Sequence, residues 1–280
     1  MQIDGWKYYN HAAISTVAPH EDPDMVPIKN GNIWKISGGT PLLARWTTEF
    51  DCGYQTNWWY VIKDTPFDIN ELKAKRRYEI NRGIKNFDVR VIDPREYADE
   101  LYEVQVAAFS AYPSKYRPTV VKEEFVSSLN YLDEYTVFGA FFRETDKLTG
   151  YATINEKNKK SKDFRVLKTD PEYEKYSINA ALIEKILSHY ELLLSSGGYI
   201  SDGAKNISHE THFQDYLEKY FDFRKAYCRL HIAYNPIIKP FVKVLYPFKS
   251  LLRKLDGIGI FHKINSVIKM EEIVRKSKNV

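Results

Sequence analysis

Hydrophobic and polar positions change period along this chain, and the changes mark its elements. The clearest stretch runs from Val166 to Leu187: a short strand, a loop containing Pro171, then an amphipathic helix. Ile178, Leu182, Ile186 and Leu193 recur at helical spacing, with Glu184 and Lys185 on the other face. Ser177 is placed to N-cap this helix, and Asn179 falls in its first turn. A strand that leads into a helix N-terminus offers unpaired N–H groups to an anion, although most such junctions bind nothing.

Upstream, residues 1–30 are rich in turn formers, with Pro19, Pro23 and Pro27, and predict irregular structure around one short strand. Strand patterns follow at Ile33–Ile36, Leu42–Trp46 and Thr56–Ile62. The run Trp58-Trp59-Tyr60-Val61-Ile62 is too apolar for an exposed edge. Asp68–Asn86 reads as a helix with an Asp68/Glu71 N-cap signature. Leu72, Ile80 and Ile84 form its narrow apolar stripe, and its other faces carry Lys73, Lys75, Arg76, Arg77, Arg82 and Lys85. Phe87–Ile92 is a strand, and Glu96–Ser110 and Val120–Leu129 are helices. Thr136–Arg143 and Leu148–Asn155 are strands, Lys157–Asp163 is a charged hairpin tip, and Tyr199–Gly203 is a strand. Thr211–Phe221 is a helix, and Cys228–Tyr234 closes the sheet. From Phe87 to Tyr234 the order is β-α-α-β-β-β-α-β-α-β, antiparallel through the middle and then parallel across a βαβ unit.

Composition narrows the class. The 280 residues suffice for one large domain or two small ones, and 44% hydrophobic with 28% charged residues is the balance of a folded chain. A formal net charge of +4 does not favour nucleic acid as a partner. Cys52 and Cys228 lack a CxxC partner and read as free thiols in a reducing compartment. No leader pattern and no apolar run of membrane-spanning length is visible, which places the protein in the cytoplasm. The tail is different. From Pro236 to Val280 Lys and Arg number 10 and Asp and Glu 3, so the tail carries +7. Ile237, Ile238, Phe241, Val242, Val244, Leu245, Phe248, Leu251 and Leu252 stand there among Lys239, Lys243, Lys249, Arg253 and Lys254. Such a helix lies on an anionic membrane surface from the cytoplasmic side, or docks on its own domain.

Candidate chemistry gathers after the Tyr199–Gly203 strand. Asp202 ends that strand, and Asn206, His209 and His212 follow in one polar loop. His209 titrates near neutrality and can accept a proton; His212 can do the same or begin the next helix. The plainer reading makes Asp202 a loop cap and both histidines surface residues. His209-x-x-His212 has no third ligand, so no metal is expected. Arg76, Arg77 and Arg82 form either a solvated basic face or a clamp for phosphate or carboxylate. Asn155, at a strand end, is a candidate substrate ligand.

Two segments carry a family resemblance. Leu148-Thr-Gly-Tyr-Ala-Thr followed by Pro171-Glu-Tyr-Glu-Lys-Tyr-Ser-Ile-Asn-Ala-Ala-Leu-Ile-Glu184 resembles the acyl-CoA-binding core of the GNAT acetyltransferases, whose pattern is Pro-Glu-Tyr-Arg-Gly-Lys-Gly-Ile-Gly-x-Ala-Leu-Leu-Glu. Phe213-Gln-Asp-Tyr216-Leu-Glu-Lys219-Tyr-Phe-Asp-Phe223 resembles the family's C-terminal helix motif. Glu174, Lys175, Ser177 and Asn179 stand where that pattern has Arg and glycines. Trp58-Trp59-Tyr60, followed by Lys75-Arg76-Arg77-Tyr78, is similar to the junction in the Fem-like branch, whose members join amino acids from aminoacyl-tRNA to cell-wall precursors.

The resemblance implies an α/β (α+β) fold with a mixed, mostly antiparallel sheet. Splayed parallel strands are flanked by helices. It implies a strand-rich extension over 1–86, a GNAT-like domain over 87–235 and an amphipathic helical tail over 236–280. Chemistry occurs where the parallel strands splay, near Thr169 and Asp202. Lys175, Tyr176, Ser177 and Asn179 hold the donor, an acyl-CoA. Asp202, His209 and Tyr216 are the catalytic candidates, with Tyr216 near the position of a tyrosine that protonates a leaving thiolate. Arg76, Arg77, Arg82, Asn155, Asn206 and His212 meet the acceptor. The implied activity is N- or O-acyl transfer to a sugar-, lipid- or nucleotide-linked precursor in bacterial cell-envelope polysaccharide biosynthesis. A Fem-like transferase using aminoacyl-tRNA and a non-catalytic membrane-associated scaffold remain open as alternatives.

Overall fold

The computed structural model describes residues 1–114, 117–156, 158–207 and 212–277. The chain forms two compact units, each assembled from separated stretches. Unit 1 takes Met1–Val61, Ala204–His212 and Lys225–Val280, and unit 2 takes Ile62–Gly203 and Phe213–Arg224.

Unit 1 opens with a hairpin where the sequence predicts a single strand: β1 (Trp6–Tyr9) and β2 (Ala12–Ser15). Asn10 and His11 close it, both at positive φ, which is the backbone a tight two-residue hairpin turn requires. A single helical turn, α1 (Val26–Lys29), precedes a 3₁₀ turn over Asn32–Lys35, in place of the predicted Ile33–Ile36 strand. Gly31, at φ +78°, turns the chain into it. Ile33 then reaches the core beside Trp6 and Ala13, so an apolar residue expected from a strand buries itself from a turn. β3 (Leu43–Thr48) and β4 (Trp58–Lys63) match the strand pattern.

In unit 2 the predicted Asp68–Asn86 helix divides. Asp68 accepts from the Asn70 N–H and starts a 3₁₀ turn over Ile69–Glu71, and α2 (Ala74–Asn86) begins afresh after it. Next come β5 (Phe87–Val91), α3 (Ala98–Ser110), α4 (Lys122–Leu129), β6 (Tyr135–Phe142), β7 (Lys147–Asn155) and β8 (Ser161–Thr169). β8 starts five residues earlier than its apolar pattern suggests and absorbs part of the expected charged hairpin tip. The Lys162 ammonium is compensated by Glu156 at 2.6 Å, so its charge does not exclude it from the strand. α5 (Ile178–His189), α6 (Glu191–Ser195), β9 (Tyr199–Ala204) and α7 (His212–Phe221) complete the unit. The chain returns to unit 1 through β10 (Arg224–Tyr234), α8 (Ile238–Leu245), α9 (Lys249–Lys254) and α10 (Gly259–Ser277).

Strand order is β1-β2-β3-β10-β4 in unit 1 and β9-β8-β7-β6-β5 in unit 2. β5 to β8 are antiparallel neighbours, and β8 pairs with β9 in parallel. Ile92, Leu101, Val104, Leu129, Val137 and Phe141 form one core of unit 2, where α3 and α4 pack on the sheet. α5 covers the sheet with Ile178, Leu182, Ile183 and Ile186, all fully buried.

Candidate site at the splayed strands of unit 2

β8 and β9 pair only over Ser161–Asp163 with Tyr199–Ser201 and then part. Two local features account for the parting. On β7, Thr153 faces Val166 and Ile154 faces Phe164, so Arg165 is an extra residue, a bulge that bends β8. On β9, Gly203 takes φ +85°, a left-handed backbone that favours glycine, and its N–H donates to the Ser201 hydroxyl at 2.9 Å. Asp202 is the first residue of β9 beyond its pairing with β8. Burial pushes its carboxyl up to about 7, while Gln214 of α7 pulls the other way. Gln214 also donates its amide to the Asp202 carbonyl at 3.5 Å. Asp163, in the paired part of β8, is pushed by burial to about 6 against the opposing pull of Arg165.

The splayed end of β8 leads into the loop at the start of α5. Asp170 accepts from the Glu172 N–H and begins a 3₁₀ turn over Pro171–Tyr176. Ser177 is the residue before α5, as the sequence predicts. Its hydroxyl caps nothing, and its backbone is left-handed at φ 65°. Asn179 lies in the first turn and accepts from the Thr169 hydroxyl at 3.4 Å, tying helix start to strand end. Tyr176 packs against Phe142 and Tyr173, and the Lys175 ammonium lies over the Tyr176 ring at 5.1 Å. A Cβ on Gly83 would lie 2.6 Å from the Ser177 carbonyl oxygen and 2.9 Å from the Ala181 nitrogen, so α2 presses directly on the first turn of α5.

The basic helix separates into different roles. Arg76 pairs with Asp222 at 3.8 Å, and Arg77 donates to the Asn70 carbonyl at 3.3 Å. Arg82 is exposed, makes no ion pair among the described residues and adjoins Gly83 at the α5 contact. Tyr216 donates to Glu79 of α2 at 3.3 Å and packs on Tyr220 and Phe221. Burial first, and then the Glu79 charge, raise its hydroxyl above the usual range. Two helix positions apart are about 200° around the axis, so Tyr216 and Gln214 face different neighbours. Asn155 ends β7 opposite Asp163. Asn206 and His212 belong to unit 1, and His209 lies outside the described residues. The structure thus gathers Lys175, Tyr176, Ser177, Asn179 and Thr169 at one loop. Asp202 stands at the neighbouring strand end with Gln214. Gln214 is not singled out by the sequence pattern, and Thr169 is marked there only as a strand end. A threonine closing the strand before the loop was the one visible hint.

Comparison with known proteins comes from structure alone: no family model and no curated protein sequence matches the chain. A solved structure of FemX aligns with a TM-score of 0.55 at 7% identity, covering 86% of this chain and 85% of that one. The fold is GNAT-like and similar to that of FemX. L-PGS from Bacillus licheniformis aligns at a TM-score of 0.52 and 14% identity, covering 86% and 83%. The C-terminal domain (DUF2156) of a putative lysylphosphatidylglycerol synthetase from Agrobacterium fabrum aligns at 0.46 and 13%, covering 80% and 78%. Within this GNAT-like fold, β8, the loop to α5, and β9 are the elements of the splay. Among the described residues, no helix is long and apolar enough to cross a membrane.

Proposed function

We propose that the protein is a transferase that moves an acyl or aminoacyl group to an amine or hydroxyl of a cell-envelope precursor. The observation that carries this reading is the open β8/β9 splay with Asp202 at its start, buried enough to titrate near 7. A carboxylate that is half ionised at neutral pH serves well as a general base. It takes the proton of the attacking amine or hydroxyl as the new C–N or C–O bond forms. The bond from the acyl carbon to the leaving sulfur or oxygen breaks, and the proton passes to that leaving atom. The likeness to FemX and L-PGS supports the reading at the level of fold.

The donor in the first reading is an acyl-CoA, seated at the Lys175–Asn179 loop. Arg82 is the arginine of α2 whose side chain makes no hydrogen bond or ion pair among the described residues, and it can meet its phosphates. The second reading, an aminoacyl-tRNA donor, is favoured by one observation. α2 presses on the α5 start through Gly83, and Ser177 occupies the left-handed position, which leaves less room for a diphosphate there. Isothermal titration with acetyl-CoA and longer acyl-CoAs separates the two, since absence of binding removes the acyl-CoA donor. If acyl-CoA binds, Arg82→Ala will weaken it about fivefold with an unchanged melting temperature, because one exposed charge–phosphate contact is lost. An unchanged affinity would remove Arg82 from the site.

An acceptor met at an anionic membrane surface is the reading that the tail supports. α8 and α9 bury Val242 and Leu252 against Ile268 of α10, so the tail docks on its own unit. Its outer face stays apolar: Ile237, Phe241, Val244, Phe248 and Leu251 follow at steps of four and three and are 55–72% exposed. Lys239, Lys243 and Lys254 are exposed beside them and make no ion pair among the described residues, and no acidic residue occurs between Asn235 and Asp256. Apolar side chains flanked by unpaired cations suit insertion at an anionic lipid interface. The Phe241→Ser/Phe248→Ser double variant will cosediment with phosphatidylglycerol vesicles at least about tenfold less than the wild type. Equal sedimentation would remove the membrane role.

A further inference from the structure

Unit 1 holds a cavity of about 170 Å³ that plays no part in the transfer chemistry above. Its lining includes Ile14, Arg45, Thr47, Trp58, Tyr60 and Leu230. Strand register places these on one face. Arg45 lies opposite Ile14 on β2 and Ile232 on β10, and Thr47 lies opposite Leu230. Directly paired residues project to the same side of a sheet. Leu230 and Trp58 share a buried cluster with Tyr60 and Ile232. The Arg45 guanidinium therefore stands on the face that carries Trp58 and Tyr60.

Two donors there lack acceptors. Arg45 makes no ion pair among the described residues, and its one polar contact is the Met270 sulfur at 4.0 Å. Burial pulls its pKa below the usual arginine value, and the groups that oppose this are the phenols of Tyr60 and Tyr9, not a carboxylate. Trp58 is 98% buried and its indole Nε1–H meets no acceptor. The buried Trp58 N–H is a donor of a kind nearly always satisfied, and the half-buried Arg45 guanidinium beside it has no counter-charge, so the arrangement suits an anionic occupant. The other charged group of the lining, Glu21, is half-exposed and accepts from the Ala18 N–H. With one cation and no second positive group in the lining, a singly charged, planar oxyanion matches better than a doubly charged phosphate ester. Trp58, Tyr60 and Leu230 supply apolar and aromatic walls for the rest of the ligand.

We propose that this cavity binds the carboxylate of a small organic acid with an apolar or aromatic body, held by the Arg45 guanidinium and the Trp58 indole N–H. The inference is independent of the transferase reading, because it rests on unit 1 alone and its test reads binding. Phenylacetate is the probe, with phenylacetamide and inorganic phosphate as controls. Millimolar phenylacetate will raise the melting temperature and shift the Trp58 indole N–H resonance, which Trp58→Phe identifies among the five tryptophans. Neither control will do so. Arg45→Met keeps the buried stem and removes the charge. It will bind phenylacetate at least about tenfold more weakly and, without ligand, will melt no lower than the wild type. No response to phenylacetate, an equal response to phenylacetamide or phosphate, or an Arg45→Met variant that folds and binds normally would each overturn the assignment.

Discussion

Asp202→Asn will melt at a higher temperature than the wild type at pH 8 and at nearly the same temperature at pH 4. The carboxyl is raised from an ordinary 3.8 to about 7 by burial. In the unfolded chain it ionises near pH 4, whereas in the folded chain it holds its proton until about pH 7. The folded state therefore binds the extra proton, and stability falls as pH rises from about 4 to about 7. Above that window the wild type bears the full cost of a half-buried charge, on the order of 2–4 kcal/mol. Asn is neutral throughout and keeps the shape of the protonated acid, so it escapes that cost. Asp163, raised to about 6, adds a smaller loss over the lower part of the same window. The same substitution removes the proposed base, and activity will fall by about 10²–10⁴-fold. Melting curves at pH 4 and 8, paired with turnover once the substrate is known, check both halves. A variant destabilised at pH 8 would show that the Asp202 charge is compensated in the folded protein.

Gly83→Ala will destabilise the protein by about 3 kcal/mol, measured by urea unfolding. In an isolated helix this change stabilises, by up to about 1 kcal/mol. Here the new methyl would meet the Ser177 carbonyl at 2.6 Å and the Ala181 nitrogen at 2.9 Å. Both are backbone atoms of a helix start packed on the sheet, so relief requires moving α2 or α5 as a whole. Overpacking of this kind costs typically 1–3 kcal/mol, and more where backbone must shift. Exposed Ala74, at the other end of α2, offers the control: Ala74→Gly will cost only the propensity difference, about 1 kcal/mol or less. A neutral Gly83→Ala would mean that α2 sits farther from α5 in solution.

Much of unit 2 was legible because its elements announce themselves locally. The strand–loop–helix order around Pro171, Asn179 in the first turn, and the strand end at Thr169 follow from period and capping residues, while β9 runs two residues beyond Asp202, to Ala204. The bulge at Arg165 was not legible, since it depends on which residue of β7 faces which of β8. Nor was the role of Gly83, which reads as an ordinary weak spot in a helix until the partner 94 residues later is placed against it. The arginine cluster shows the same limit. Arg76, Arg77 and Arg82 look alike in sequence, and only tertiary neighbours divide them into an ion pair with Asp222, a loop brace and an unpaired charge. Ser177 stands at the N-cap position that the sequence marks, but its hydroxyl caps nothing, and its left-handed backbone has no signature in the sequence. In unit 1 the 3₁₀ turn at Asn32–Lys35 shows that a strand-like composition can serve a turn when one isoleucine fills the core.

The pairing of β3 with β10 has a consequence for synthesis. Thr48 faces Arg229, so the strand made early waits for a partner made about 180 residues later. At ordinary elongation rates of about 5–20 residues per second the delay is roughly 10–35 s. Throughout that interval the nascent chain exposes an unpaired β3 edge, bearing Leu43, Ala44 and Trp46, outside the ribosome. Unit 1 is therefore the part of this protein whose yield depends on holding chaperones and on translation speed, while most of unit 2, contiguous from Ile62 to Gly203, can begin to fold as it emerges.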